Sequence, residues 1–116
     1  MNEAIQRFVE AFNAGRYFEA HEILEERWLP APDGPERSTL RGLIQIAAAF
    51  EKLKRGEPVG FTRLLPKGLG NLEAAPSVRF HGLDLAVLRV DVTVWLEQLR
   101  QDGESVFGKG PTLRLF

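Results

Sequence analysis

The chain has 116 residues, a formal net charge of -1, 44% hydrophobic and 27% charged residues, and no cysteine. That length supports one domain with a core of its own, and the near-neutral charge gives no electrostatic footprint for nucleic acid or an anionic membrane. The missing cysteine excludes disulfides, thiolate metal sites and a cysteine nucleophile, and it fits a reducing, cytoplasmic compartment.

The first predicted helix runs from Glu3 to Asn13, where Ile5, Phe8, Val9 and Phe12 recur at steps of three and four. Asn2 is available as its N-cap and Gly15 as its C-terminal stop. No apolar stretch here has signal-peptide length, and none elsewhere approaches a membrane span. A second helix is expected from Tyr17 to about Leu29, ending before the turn-rich Pro30-Ala31-Pro32-Asp33-Gly34-Pro35. The third, from Pro35 or Glu36 to Lys54, has Asp33 available as N-cap and an apolar middle, Leu43 to Phe50, that marks it as the central, most buried helix. Gly15-Arg16-Tyr17 and Gly56-Glu57-Pro58 read as hairpin turns.

Pro58 to about Ala74 predicts a fourth helix, kinked or broken by Pro66 together with Gly68 and Gly70. From Leu83 to Leu99 the pattern is mixed, because Arg89 to Trp95 alternates with a strand's period. Length decides for helix, with Leu85, Leu88, Val92, Trp95, Leu96 and Leu99 on one face. Val87, Val90 and Val94 then form a second apolar stripe, which calls for another helix or a second subunit, and a homodimer is expected on that ground. The C-terminal Gly108 to Phe116 shows no clear element. The fold expected is therefore all-α, about five helices packed as helical hairpins in a single bundle spanning residues 1–116.

Several motifs resemble chemistry without completing it. Gly103 to Lys109 matches the first seven positions of a phosphate-binding loop, but Gly110 stands where a Ser or Thr is required and a helix, not a strand, precedes it. Gly68-Leu69-Gly70 lacks the third glycine of a dinucleotide fingerprint. Ser38, Ser77 and Ser105 sit in no nucleophile elbow. A carboxylate-bridged dimetal bundle needs Glu three residues before His, and that position relative to His21 is Phe18.

His21 is one of two histidines. On a helical wheel Tyr17, His21, Leu24 and Trp28 share a narrow arc with Glu25 beside it, which places His21 at the centre of a core-facing stripe. A buried imidazole without a partner costs ~1–3 kcal/mol, and Glu25, one turn later, is the natural partner. Three readings are open: a structural pair that fixes helix packing, a general base oriented by its carboxylate, or two ligands of a metal ion. A zinc site would need His81, whose surroundings Phe80 to Asp84 read as a loop before a helix. Gln45 interrupts the most apolar stretch of the third helix; it either converges with His21 and Glu25 or lies on a less buried flank near Lys52.

Phe12-Asn13-Ala14-Gly15-Arg16-Tyr17-Phe18-Glu19-Ala20-His21-Glu22-Ile23-Leu24-Glu25-Glu26-Arg27-Trp28, followed by Gly42-Leu43-Ile44-Gln45-Ile46-Ala47, resembles the domain of unknown function 309 family of small helical prokaryotic proteins. The resemblance covers roughly residues 12–72 and implies an all-helical fold with a polar cluster at Glu19, His21, Glu22, Glu25, Trp28 and Gln45. Arg41 stands where the family more often has Gln, and Pro66, Gly68 and Gly70 interrupt what is expected to be a smoother helix. The resemblance implies no reaction. No cofactor is expected, and no structural zinc, because His21 and Glu25 supply two ligands where such sites need four and cysteine is absent. The expected role is structural or protein-interacting around a buried His21/Glu25 cluster, with Tyr17, Glu22, Trp28 and Gln45 as a candidate binding pocket. The alternative is a hydrolase-like small-molecule or metal-dependent enzyme using His21 and Glu25.

Overall fold

Glycine-terminated turns set the architecture. The computed structural model describes residues 2–73, 75 and 77–102. In it α1 (Asn2–Asn13) and α2 (Tyr17–Trp28) form one hairpin, and α3 (Pro35–Lys54) and α4 (Pro58–Glu73) a second. Each first helix of a pair ends the same way. Gly15, at φ 78°, donates to the Phe12 carbonyl and Arg16 to that of Ala11; Gly56, at φ 76°, donates to Leu53 and Glu57 to Lys52. This pairing satisfies the last carbonyls of a helix through a left-handed residue, which glycine adopts without a Cβ penalty. Lys54 Nζ then donates to the Gly15 carbonyl at 2.8 Å, tying the two turns together at one end of the molecule.

The chain enters α3 through Gly34, without a side-chain cap, so Asp33 does not play the N-cap role expected of it. Pro35 opens the helix instead, its missing N–H falling where no intrahelical partner exists. α3 is the central element, packed between α2 and α4. From Thr39 to Phe50 only Arg41, Gln45 and Ala48 escape burial, and their steps of four and three put them on one narrow stripe. Phe50 is the hub of the core: its ring lies 5.8 Å from Phe12, 5.1 Å from Phe61 and 5.2 Å from Trp95, in edge-on geometries that link α1, α3, α4 and α5.

α4 is not broken, one of the two outcomes expected of Pro66. It runs unbroken from Pro58 to Glu73 with Pro66 inside it. Pro66 removes the donor to the Thr62 carbonyl, yet both residues are exposed, so water can replace the lost bond. Gly68 is no breaker either. A Cβ on Gly68 would come within 2.8 Å of Ile46 Cγ1 and 3.0 Å of the Gly42 carbonyl oxygen, and one on Gly42 within 2.9 Å of the Gly68 carbonyl oxygen. The two glycines let the α3 and α4 backbones approach to a distance that any side chain would prevent.

The segment around His81 is a two-residue hairpin between β1 (Arg79–Phe80) and β2 (Leu83–Asp84), paired Arg79 with Asp84 and Phe80 with Leu83. His81 and Gly82 both have positive φ, 48° and 88°, the requirement of a type I′ turn whose twist matches the strands. α5 (Leu85–Asp102) therefore begins two residues later than its pattern suggests, with Asp84 Oδ1 accepting the Val87 N–H at 3.1 Å as N-cap. It packs Leu85, Leu88 and Val92 into the core with Trp95 and Leu96 partly buried, as a helical reading of the alternating segment requires. Among the described residues no helix is long and apolar enough to cross a membrane. The side chain of Leu99, the phosphate-loop-like Gly103 to Lys109 and the Gly108 to Phe116 tail lie outside the description.

Candidate functional site

The rotation of α2 decides where His21 goes. Its buried residues are Tyr17, Ala20, Ile23 and Leu24, an arc centred on Ala20 rather than on His21. At ~100° per residue, Ile23 and Ala20 pull the core-facing direction roughly 60° away from the expected stripe. His21 sits on the shoulder of that arc, its side chain 26% exposed, and Glu25 is 43% exposed. The pair itself forms as expected: His21 Nε2 and Glu25 Oε2 are 2.9 Å apart. The expected burial of the cluster is corrected to a half-open surface position, where such a pair contributes little to stability.

The other expected site residues disperse. Tyr17 is buried against Phe12 and Phe50, with ring centroids 5.0 Å and 5.7 Å away, and burial pushes its phenol above the ordinary value. Glu22 is exposed, and Glu19 is exposed and bound to Arg16 at 2.6 Å. Trp28 is partly buried beneath Arg37, whose guanidinium carbon lies 4.2 Å from the ring centroid. Arg37 Nη1 also donates to the carbonyls of Trp28 and Ala31, neutralising the C-terminal end of α2. Trp28 Nε1 is buried with no acceptor among the described residues. Gln45 lies on the half-open flank beside Lys52, and Asn71 of α4, not His21 or Glu25, supplies its partner, with Nδ2 donating to Gln45 Oε1 at 2.7 Å.

His81 does not join His21. Its Nε2 is 2.7 Å from Glu36 Oε1 and its Nδ1 3.2 Å from Asn2 Oδ1, which fastens the hairpin to the first turns of α3 and α1. His21 faces Ala48, Glu51, Lys52 and Arg55 at the far end of α3. At ~1.5 Å per residue the two imidazoles are served by parts of α3 on the order of 20 Å apart. Among the described residues no three His, Asp or Glu side chains converge.

What sequence reasoning missed is the opposite wall. Phe18 and His21 of α2, with Ala48, Glu51, Lys52 and Arg55 of α3, line a cleft of about 180 Å³ at the end of the molecule where the two glycine turns meet. The signal was present. Arg41, Gln45, Ala48, Lys52 and Arg55 follow one another at steps of four, three, four and three, and they interrupt the aliphatic residues of α3 on a single side. Ala48 is small enough to leave the floor open beside Phe18 and His21. Of the signature residues, Gln45 lies on this face and His21 lines the cleft beside Ala48, while Glu25 is bonded to His21 from outside it.

Residues 5–64 match the sequence model of the family described as Domain of unknown function (DUF309). An uncharacterized protein of Aquifex aeolicus (strain VF5) is 31% identical over 104 residues, covering 90% of this chain and 29% of that protein. Uncharacterized protein YpuF of Bacillus subtilis (strain 168) is 39% identical over 64 residues, covering 54% of this chain and 37% of YpuF. The chain thus spans about a third of the length of these relatives.

Proposed function

Since the chain belongs to the domain of unknown function 309 family and its relatives carry the matching region within longer proteins, we propose that it is a cytoplasmic binding module presenting a docking face. The observation that carries this reading is the single unburied stripe of α3 between Thr39 and Phe50, with Arg41 exposed, Gln45 and Ala48 partly buried, and His21 of the signature pair beside Ala48. A helix enclosed on every other side offers a rigid floor, and residues that serve only packing would not collect along its open edge. A homodimer through α5 accompanies this role, supported by Val90 and Val94, which are 63% and 46% exposed, with Val87 half-buried beside them.

The test is a photo-crosslinking residue placed at Ala48 in cells of the source organism. It should yield one discrete adduct, while the same residue at Gly70, which points into open space on α4, should not. Indistinguishable patterns from the two positions would end the docking reading. A second reading, hydrolase-like chemistry, is favoured by one geometry: Glu25 engages Nε2 while the ring of His21 lines the cleft, the way a carboxylate orients a general base.

A further inference from the structure

We infer that the cleft between Phe18 and Arg55 is a binding site for a small ligand that joins a carboxylate, sulfonate or phosphate group to a compact apolar body. This deepens the reading of the α2–α3 face as a binding surface and rests on it.

The apolar half of the site is the exposed ring of Phe18 and the methyl of Ala48, which together leave a floor without hydrogen-bonding groups. A concave, largely apolar lining with a few convergent polar groups is the common form of a small-molecule site. The polar half is cationic. Of the formally charged residues that line the cleft, Lys52 and Arg55 are positive and Glu51 is negative. Glu51 is committed: its Oε1 accepts from Arg55 Nε at 2.8 Å, and its side chain is only 17% exposed. That bond uses one edge of the guanidinium and leaves the Nη1 and Nη2 hydrogens, which form the fork that matches a carboxylate or phosphate.

Lys52 and His21 also line the cleft. The stem of Lys52 packs over Gly60, where an added Cβ would lie 3.0 Å from Lys52 Cγ. Its nearest carboxylate, Glu57, is 3.8 Å away and does not line the cleft. Glu25 holds His21 through Nε2 and stands outside the cleft, so its carboxylate does not occupy the space beside Lys52 and Arg55. Arg55 lies 5.9 Å from the Phe18 ring, so the cationic and apolar halves of the site adjoin. At about 180 Å³ the cleft suits a single ring or short chain with one charged head.

Benzenesulfonate is the probe, because its charge does not vary with pH in the working range; sulfate carries the head alone and benzyl alcohol the body alone. Nuclear magnetic resonance titration of the whole chain follows the amides of residues 18–25 and 48–55. Benzenesulfonate should bind about tenfold more tightly than either half-probe, a difference of ~1.4 kcal/mol. Arg55→Gln and Lys52→Gln should each weaken it several-fold, and Phe18→Ala should reduce it to the level of sulfate, all with unchanged helicity. Three results would overturn the inference: no shifts in those amides, equal binding of sulfate and benzenesulfonate, or charge variants that bind like the unaltered protein. If benzenesulfonate fails while Ala48 still crosslinks to a single adduct, the docking face stands and the small-ligand site falls. If neither occurs, both fall.

Discussion

Alanine substitution at three glycines should give opposite signs within one helix pair. In a helix interior, glycine to alanine is worth up to ~1 kcal/mol of stabilisation from backbone entropy alone. At Gly70 the new methyl meets nothing within 4 Å, so Gly70→Ala should keep most of that gain. It lies three residues from the end of α4, where the gain is reduced to about 0.5 kcal/mol. At Gly68 the same methyl lands 2.8 Å from Ile46 Cγ1, 3.0 Å from the Gly42 carbonyl oxygen and 3.3 Å from the Ile46 nitrogen. Two of those three atoms are backbone and cannot rotate away, so the α3–α4 crossing has to widen, and overpacking of this kind costs ~1–3 kcal/mol. Set against a gain of up to ~1 kcal/mol, the net for Gly68→Ala is then a loss of about 0–2 kcal/mol. Gly42→Ala should behave alike, since its methyl meets the Gly68 oxygen at 2.9 Å and Asn71 Cβ at 3.0 Å. Thermal melts at about 4 °C per kcal/mol should place Gly70→Ala above the unaltered protein and the other two below it. A Gly68→Ala variant melting as high as Gly70→Ala would mean that the two backbones do not meet there, and the account of α4 as a tightly seated helix would fail.

The single variants His21→Ala and Glu25→Ala, combined in a double-mutant cycle, should show a coupling of about 0.5 kcal/mol in denaturant melts, the value for a half-open pair one turn apart; a coupling above about 2 kcal/mol would restore the buried cluster. Phe50→Ala, by emptying the hub of the core, should cost ~3–5 kcal/mol and sharply lower the melting temperature or prevent folding. Burial favours the neutral Tyr17 phenol, so its contribution is complete below the ordinary value of about 10 and is lost as pH rises through the raised one. Tyr17→Phe should therefore flatten the alkaline decline of the melting temperature, and an unchanged decline would assign it to other groups. Val90→Lys should convert a dimer to a monomer in sedimentation without loss of helicity; a monomeric unaltered protein would remove the α5 interface.

The helices were legible because their periodicity is a property of each segment. Ile5, Phe8, Val9 and Phe12 are all buried, and Gly15 and Gly56 stop their helices where the sequence reading placed the turns. Orientation was less legible, because it depends on neighbours. The arc of α2 turned on Ile23 and Ala20, whose burial follows from what α1 and α3 present to them. The same dependence hid the role of Gly68, which reads locally as a breaker and is required only because Gly42 stands opposite it. The pairing of His21 with Glu25 was readable from spacing within one helix, whereas the partnership of Gln45 with Asn71 joins residues on different helices and left no local trace. The Phe80-His81-Gly82-Leu83 turn was readable in principle, since His before Gly can take positive φ at both central positions, but no alternating strand flanked it long enough to announce a hairpin.

Enclosure of α3 on all but one stripe also bears on the order in which the molecule opens. Opening of α1, α4 or α5 alone leaves α3 with other packed neighbours, so its amides should exchange with solvent only through the most global openings. The floor of the cleft then belongs to the slowest-exchanging unit, while Phe18, Lys52 and Arg55 line it with side chains alone. Whatever settles there pays ordering entropy for a few side chains and almost none for backbone, which is how a shallow surface can hold a small partner selectively.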